Sequence, residues 1–246
     1  MIRCFAEPSS WLSGRVTLSP DEAHHLLHVM RAKAGDTVEV FDGAGTRGQA
    51  RVSSCGKQSA ELEVVRSEVL PRPEPRIVLL QALIREQKMD LVVEKGTELG
   101  VMRIVPVSVE RSVVKLARNA VPGRIERWRR IALGAVKQCG GCWIPEICPV
   151  MTLEDALSDA KSADIRLVGS LEPDARPLRP VLEKARADRA RTACILIGPE
   201  GDLTPSELAA AKRSGFTAIS MGPAVLRAET AAIGMVAIAR CALACS

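Results

Sequence analysis

Aromatic residues are nearly absent from this chain of 246 residues: three Phe, three Trp and no Tyr make up 2% of it. RNA recognition on a platform of stacked rings is therefore disfavoured. Long apolar runs are missing too. The most apolar stretch, Ala231 to Ala239, is short and is stopped by Arg240, so no membrane span is expected. The start, Met1 to Pro8, has no apolar core of the kind a secretion signal carries. Histidine is scarce, and His24 and His28, although four apart, are followed by no Glu that could make a zincin helix, because His25 stands there. Cys139, Cys142 and Cys148 cluster without a nearby His, so no metal site is expected, and the eight cysteines read as reduced thiols. A soluble, cytoplasmic protein is the expectation.

What is present supports a packed core, with 47% apolar residues and a length suited to one domain or two unequal ones. The net charge is +5, and its distribution is uneven. Arg103, Arg111, Lys115, Arg118, Arg124, Arg127, Arg129, Arg130 and Lys137 fall close together and are opposed in that stretch only by Glu110 and Glu126. Such a surface suits a phosphate-bearing partner, and a solvated helix face is the alternative.

Residues 1–70 read as short strands with one helix, a small β-barrel or compact sheet. Ser19-Pro20-Asp21-Glu22 has the spacing of a capping box and predicts a helix ending near Gly35. Alternation predicts strands at Thr37–Phe41, Gly48–Ser53 and Ser59–Val65. Pro71 to Pro75, with three prolines, is a stiff connector that predicts a domain boundary. From residue 76 to 246 strands and helices alternate, as in a mainly parallel α/β sheet. Strands are predicted at Ile77–Leu80, Ile104–Val107, Ile165–Val168, Cys194–Ile197 and Ala218–Met221, with Pro106 demoting the second to an edge or a strand end. Helices are predicted at Lys88–Leu99 and Pro122–Lys137, and Thr204-Pro205-Ser206-Glu207 is a second capping box.

Ligands of open α/β sheets bind beyond the carboxyl ends of the strands. Two such ends run into Gly-Pro turns, Gly198-Pro199-Glu200-Gly201 and Gly222-Pro223. Neither is a dinucleotide fingerprint or a P-loop, so a small molecule held largely by backbone groups is implied.

Together with Leu226-Arg227-Ala228-Glu229-Thr230, Lys88-Met89-Asp90, Lys95 to Gly100, Glu110 to Val114, Ile144-Pro145-Glu146 and, near the start, Val29-Met30-Arg31 and Phe41-Asp42-Gly43, these turns resemble the RsmE family of ribosomal RNA (uracil-N3)-methyltransferases, within the SPOUT superfamily. The resemblance implies an N-terminal PUA-like RNA-binding barrel (1–70), a linker (71–75) and a methyltransferase domain (76–246) whose parallel sheet ends in a trefoil knot. It implies S-adenosylmethionine as cofactor, a homodimer formed through the C-terminal domain, and methylation of N3 of one uridine in 16S rRNA of the 30S subunit. Ile197, Gly198, Glu200, Gly201, Met221, Gly222, Leu226 and Arg227 are then expected to line the cofactor pocket, with Ser170 and Leu171 beside them. Arg227 is the candidate for stabilising charge on the uracil, with Glu229 orienting it or taking up the N3 proton. Arg31, Arg85, Lys88, Arg111 and Gln138 are expected on the RNA, with Lys88 exposed on the polar side of its helix. The apolar segment Thr230 to Ala244 is expected at a subunit interface. Asp202, Ala224, Val109 and Gly141 depart from the family pattern, which has Gly at the first of these positions. A SPOUT enzyme with another RNA target, or a non-catalytic RNA-binding or ribosome-assembly factor, are the alternatives.

Overall fold

The computed structural model describes residues 1–56, 59–112 and 121–244. Lys115 and Arg118 of the basic stretch and Val113 and Val114 lie outside the described residues. The chain forms two compact units, one of Met1–Arg72 with Val136–Ile144 and one of Pro73–Ala135 with Pro145–Ser246.

In the first unit, β1 (Arg3–Phe5), β2 (Trp11–Leu12), β3 (Arg15–Thr17), α1 (Pro20–His24), β4 (Thr37–Phe41), β5 (Thr46–Cys55) and β6 (Ala60–Val69) follow in sequence. The six strands pair in the order β1-β4-β5-β6-β3-β2, antiparallel except for β1 on β4. β1 and β2 stand at opposite ends of this order, so the ladder that would close a barrel is not formed among the described residues. Alternation works as the sequence suggests: Val38 and Val40, Ala50 and Val52, and Ala60 and Leu62 turn inward onto Val16 and Leu26.

The helix after Ser19 ends sooner than expected. α1 passes into a π-turn at His25–Val29, and the Met30 and Ala32 amides bond back to the His25 and Leu26 carbonyls. Arg31, at φ +56°, takes the left-handed position that glycine usually supplies, so the chain stops before Gly35. The capping box there is half formed. Ser19 Oγ accepts from the Glu22 amide at 3.4 Å, but the Glu22 carboxylate accepts instead from the Phe5 amide and pairs with Lys137. Arg3 fastens the segment 136–144 into this unit, donating to the Val136 and Gly141 carbonyls at 2.7 and 2.6 Å while pairing with Glu39.

The second unit contains β7 (Arg76–Ala82), α2 (Glu86–Glu98), β8 (Arg103–Ser108), α3 (Val121–Cys139, whose end belongs to the first unit), β9 (Glu146–Ile147), β10 (Met151–Thr152), α4 (Leu153–Asp159), β11 (Ile165–Gly169), β12 (Arg176–Pro177), α5 (Leu178–Ala187), β13 (Thr192–Ile197), α6 (Pro205–Arg213), β14 (Thr217–Ser220) and α7 (Ala228–Leu243). Every pairing in its sheet is parallel, in the order β10-β8-β7-β13-β11-β14-β12 with β9 also on β8. Continuous apolar runs such as Leu79-Leu80 and Cys194 to Ile197 are buried because both faces are covered.

β8 is not a sheet edge, contrary to expectation. Its outer side is covered by β9 at Arg103–Ile104 and by β10 at Val107–Ser108, and neither pairs with Pro106. The missing proline amide falls in the gap between two short strands.

Candidate active site

Three neighbouring strands stop side by side, β13 at Ile197, β11 at Gly169 and β14 at Ser220. The segments that leave these ends, with the start of α7, enclose a cavity of about 310 Å³. Ile197, Gly198, Glu200 and Asp202 come from the first loop, Ser170 and Leu171 from the second, and Met221, Gly222, Leu226 and Arg227 from the third. The sequence placed all of these at one site except Asp202. It missed Lys88 from α2, and Ala231 and Met235, which stand four apart on one face of α7. Gly201, expected on the lining, is not part of it; it is exposed, and its carbonyl accepts from Arg111 Nη1 at 3.1 Å.

Each loop has its own support. Ser170 is buried, its amide donates to the Ile219 carbonyl and its hydroxyl accepts from the Glu172 amide. Lys212 of α6 pairs with Glu172 and Asp174 and so ties down the segment that carries Leu171. Gly222 has φ +126°, a conformation that only glycine adopts readily, and is pinned through Ser220 Oγ. The first loop is stopped by a complete capping box, with Thr204 and Glu207 each bonding the other's backbone amide.

Lys88 is the electrostatic centre. Its Nζ lies 3.4 Å from Glu200 Oε1 and 3.4 Å from Glu229 Oε2. Glu229 is in the first turn of α7 and 8% exposed, and its Oε2 is buried without hydrogen-bond geometry, held by charge alone. Burial works to raise the Glu200 carboxyl, but hydrogen bonds from its own backbone, from Lys88 and from the Arg85 backbone outweigh that, and it sits below the ordinary carboxylate value. Glu229 thus faces Lys88 and not Arg227. The Arg227 side chain is exposed at the cavity mouth and makes no ion pair among the described residues.

A model of the RNA methyltransferase domain matches residues 72–240, and one of the RNA methyltransferase PUA domain matches residues 18–65. The ribosomal RNA small subunit methyltransferase E of Aquifex aeolicus is 30% identical over 183 residues, 74% of this chain and 76% of its own length. The chain belongs to the ribosomal RNA small subunit methyltransferase E family. Two similar folds have been solved with cofactor. A Legionella pneumophila protein in complex with the bound cofactor SAM is 27% identical, with a TM-score of 0.89 over 98% of both chains. Ribosomal RNA small subunit methyltransferase E from Neisseria gonorrhoeae, bound to S-adenosylmethionine, is 29% identical, with a TM-score of 0.85 over 97% of this chain and 96% of that one.

This methyltransferase is therefore an S-adenosylmethionine-dependent enzyme acting on RNA. The residues present suit that cofactor. Leu171, Ile197, Ile219, Met221 and Leu226 offer an apolar slot for a purine ring, and Val225 and Leu226 leave their backbone groups unbonded among the described residues, ready for the ring's edge. The carboxylates answer a positively charged sulfur.

The residues expected on RNA separate. Arg31 and Gln138 are exposed in the first unit, and Arg85 and Arg111 are exposed in the second. Lys88 differs from the expectation of solvent exposure, because the two carboxylates draw it into the cavity wall. The arginine-rich helix is also less bare than its sequence suggests: Arg124 pairs with Glu86, and Arg127 with Asp90 at 2.6 Å, both from α2. Arg130 remains exposed and unpaired among the described residues. No helix among the described residues is long and apolar enough to cross a membrane.

Proposed function

We propose that this methyltransferase, a cytoplasmic protein, modifies N3 of one uridine in 16S ribosomal RNA, acting on the 30S subunit as a homodimer through its C-terminal domain. The observation that carries this reading is the unpaired Arg227 at a cavity whose lining includes Lys88, with Glu229 pairing with Lys88 from outside the lining. When bound, S-adenosylmethionine supplies an electrophilic methyl group. Loss of the N3 proton leaves negative charge on the uracil carbonyls, and an arginine with no competing carboxylate is free to stabilise it. Glu229, buried and short of one hydrogen bond, is the group suited to accept the proton. Ile197, Gly198, Glu200, Met221, Gly222 and Leu226, with Ser170 and Leu171, hold the cofactor in line with the base, and positioning of that kind supplies much of the rate. The loops after β13 and β14 belong, in this reading, to a trefoil knot. The outer face of α7 with its exposed Ile238 forms the dimer contact, and Arg31, Arg85, Arg111 and Gln138 meet the RNA.

The test is methyl transfer from labelled S-adenosylmethionine to unmethylated 30S subunits and to naked 16S rRNA, followed by nucleoside analysis. Label in N3-methyluridine from subunits, and not from naked RNA, is the expected result. Label in another nucleoside would overturn the target, and equal labelling of naked RNA would overturn the 30S context.

A further inference from the structure

Two carboxylates, Glu200 and Asp202, line the cavity beside two cations, Lys88 and Arg227, and Glu229 pairs with Lys88 from outside the lining. The single charge of Lys88 is shared between Glu200 and Glu229, each 3.4 Å away, and Glu229 Oε2 is buried without a hydrogen bond. Asp202 adds a further acid to the wall and makes no ion pair among the described residues. Its position is set by the backbone. The Asp202 amide donates to the Pro199 carbonyl at 3.0 Å, and the residue has φ +61°, a left-handed conformation that Asp tolerates better than most side chains. Its Oδ1 accepts from the Leu203 amide at 2.7 Å and stands 3.2 Å from where a β-carbon on Gly198 would sit. The carboxylate is therefore held against the end of β13, which forms one side of the cavity.

We propose that Asp202 is a specificity-determining residue that makes the cavity favour the cationic cofactor over the neutral product. The inference rests on the cavity being the S-adenosylmethionine site. In methyl transfer the carbon–sulfur bond breaks, its electron pair stays on sulfur, and a sulfonium becomes an uncharged thioether. The acceptor nitrogen forms the new bond to carbon and gives up its proton. Adenine, ribose, ammonium and carboxylate are common to both molecules, so only the charge on sulfur distinguishes them electrostatically. A carboxylate without a cation partner attracts the first and gains little from the second. Glu200 and Glu229 share the one charge of Lys88, and Asp202 adds an acid that has no cation partner among the described residues. Weaker retention of the thioether hastens its replacement by fresh cofactor.

Titration calorimetry with S-adenosylmethionine and with S-adenosylhomocysteine tests this on the full chain and on the variants Asp202→Asn and Asp202→Gly. Asn keeps an acceptor for the Leu203 amide and tolerates the left-handed backbone, and Gly suits φ +61°, so both variants are expected to melt near the parent temperature without ligand. The expected result is a rise of about three- to tenfold in Kd for S-adenosylmethionine, with the Kd for S-adenosylhomocysteine moving by less than about twofold. In the parent protein the preference should also shrink at high salt. Equal weakening of both ligands would overturn the proposal, since Asp202 would then be reading a part they share. Unchanged affinity for both would overturn it as well. A parent protein that binds neither molecule would instead remove the assignment of the cavity on which the proposal rests.

Discussion

Arg227 and Lys88 are both cations of the cavity wall, yet they stand in opposite electrostatic situations. Arg227 is exposed and unpaired among the described residues, so replacing it leaves nothing stranded. Arg227→Ala should change stability by no more than about 0.5 kcal/mol, while turnover on the RNA substrate falls by about 10²-fold or more. Lys88 pairs with two carboxylates, one of them almost fully buried. Lys88→Met should therefore lower unfolding stability by about 1–2 kcal/mol, discounted for the partial exposure of Lys88, as well as activity. Denaturant unfolding together with single-turnover methylation separates the two cases. Retained turnover in the Arg227 variant would remove it from the chemistry, and unchanged stability in the Lys88 variant would deny the importance of the pairing. Little of this contrast was legible in the sequence. Arg227 and Glu229, two residues apart, invite an ion pair, but the helix start turns Glu229 inward while Arg227 remains outside it as the N-cap. Lys88 sits more than a hundred residues from either of its partners, and its helix periodicity assigned it to solvent.

Elements whose boundaries are set by neighbouring residues are legible in the sequence, and those finished by distant partners are not. Ser19-Pro20-Asp21-Glu22 and Thr204-Pro205-Ser206-Glu207 carry the same signal, and only the second closes. The difference lies in Glu22, which the Phe5 amide and Lys137 have claimed. Thr204→Ala should consequently cost about 1 kcal/mol, and Ser19→Ala, with a single bond at 3.4 Å, clearly less. Equilibrium unfolding of the two variants checks the order, and an equal or reversed pair of losses would contradict it. The same reasoning explains the charge on α3. A count along the chain sees arginines opposed by Glu126 alone, whereas packing brings Glu86 and Asp90 across from α2.

At the scale of the molecule, alternation of strands and helices was enough to expect a parallel sheet, but not its order. Nothing local places β13 between β7 and β11, although that insertion sets the ends of β13, β11 and β14 side by side and makes the cavity. Nor does periodicity show that Val136–Ile144 returns to the first unit, where the carbonyls of Val136 and Gly141 are held by Arg3. This division of the chain allows the two proposed binding functions to be separated. The cavity is built wholly from the second unit, while Arg31 and Gln138 belong to the first. Replacing both by Ala should weaken binding to 30S subunits and lower the slope of log affinity against log salt by roughly 0.7 to 0.9, because Arg31 no longer neutralises a phosphate. The same protein should bind S-adenosylmethionine with its parent affinity. Leu226→Ala, on the cavity wall, should do the reverse, raising the cofactor Kd and leaving the salt slope alone. Filter binding across a salt series, set beside calorimetry with the cofactor, measures both quantities on each variant. An unaltered slope in the first variant would take Arg31 off the RNA. A cofactor affinity that fell with it would show that the two units do not divide the work as their residues suggest.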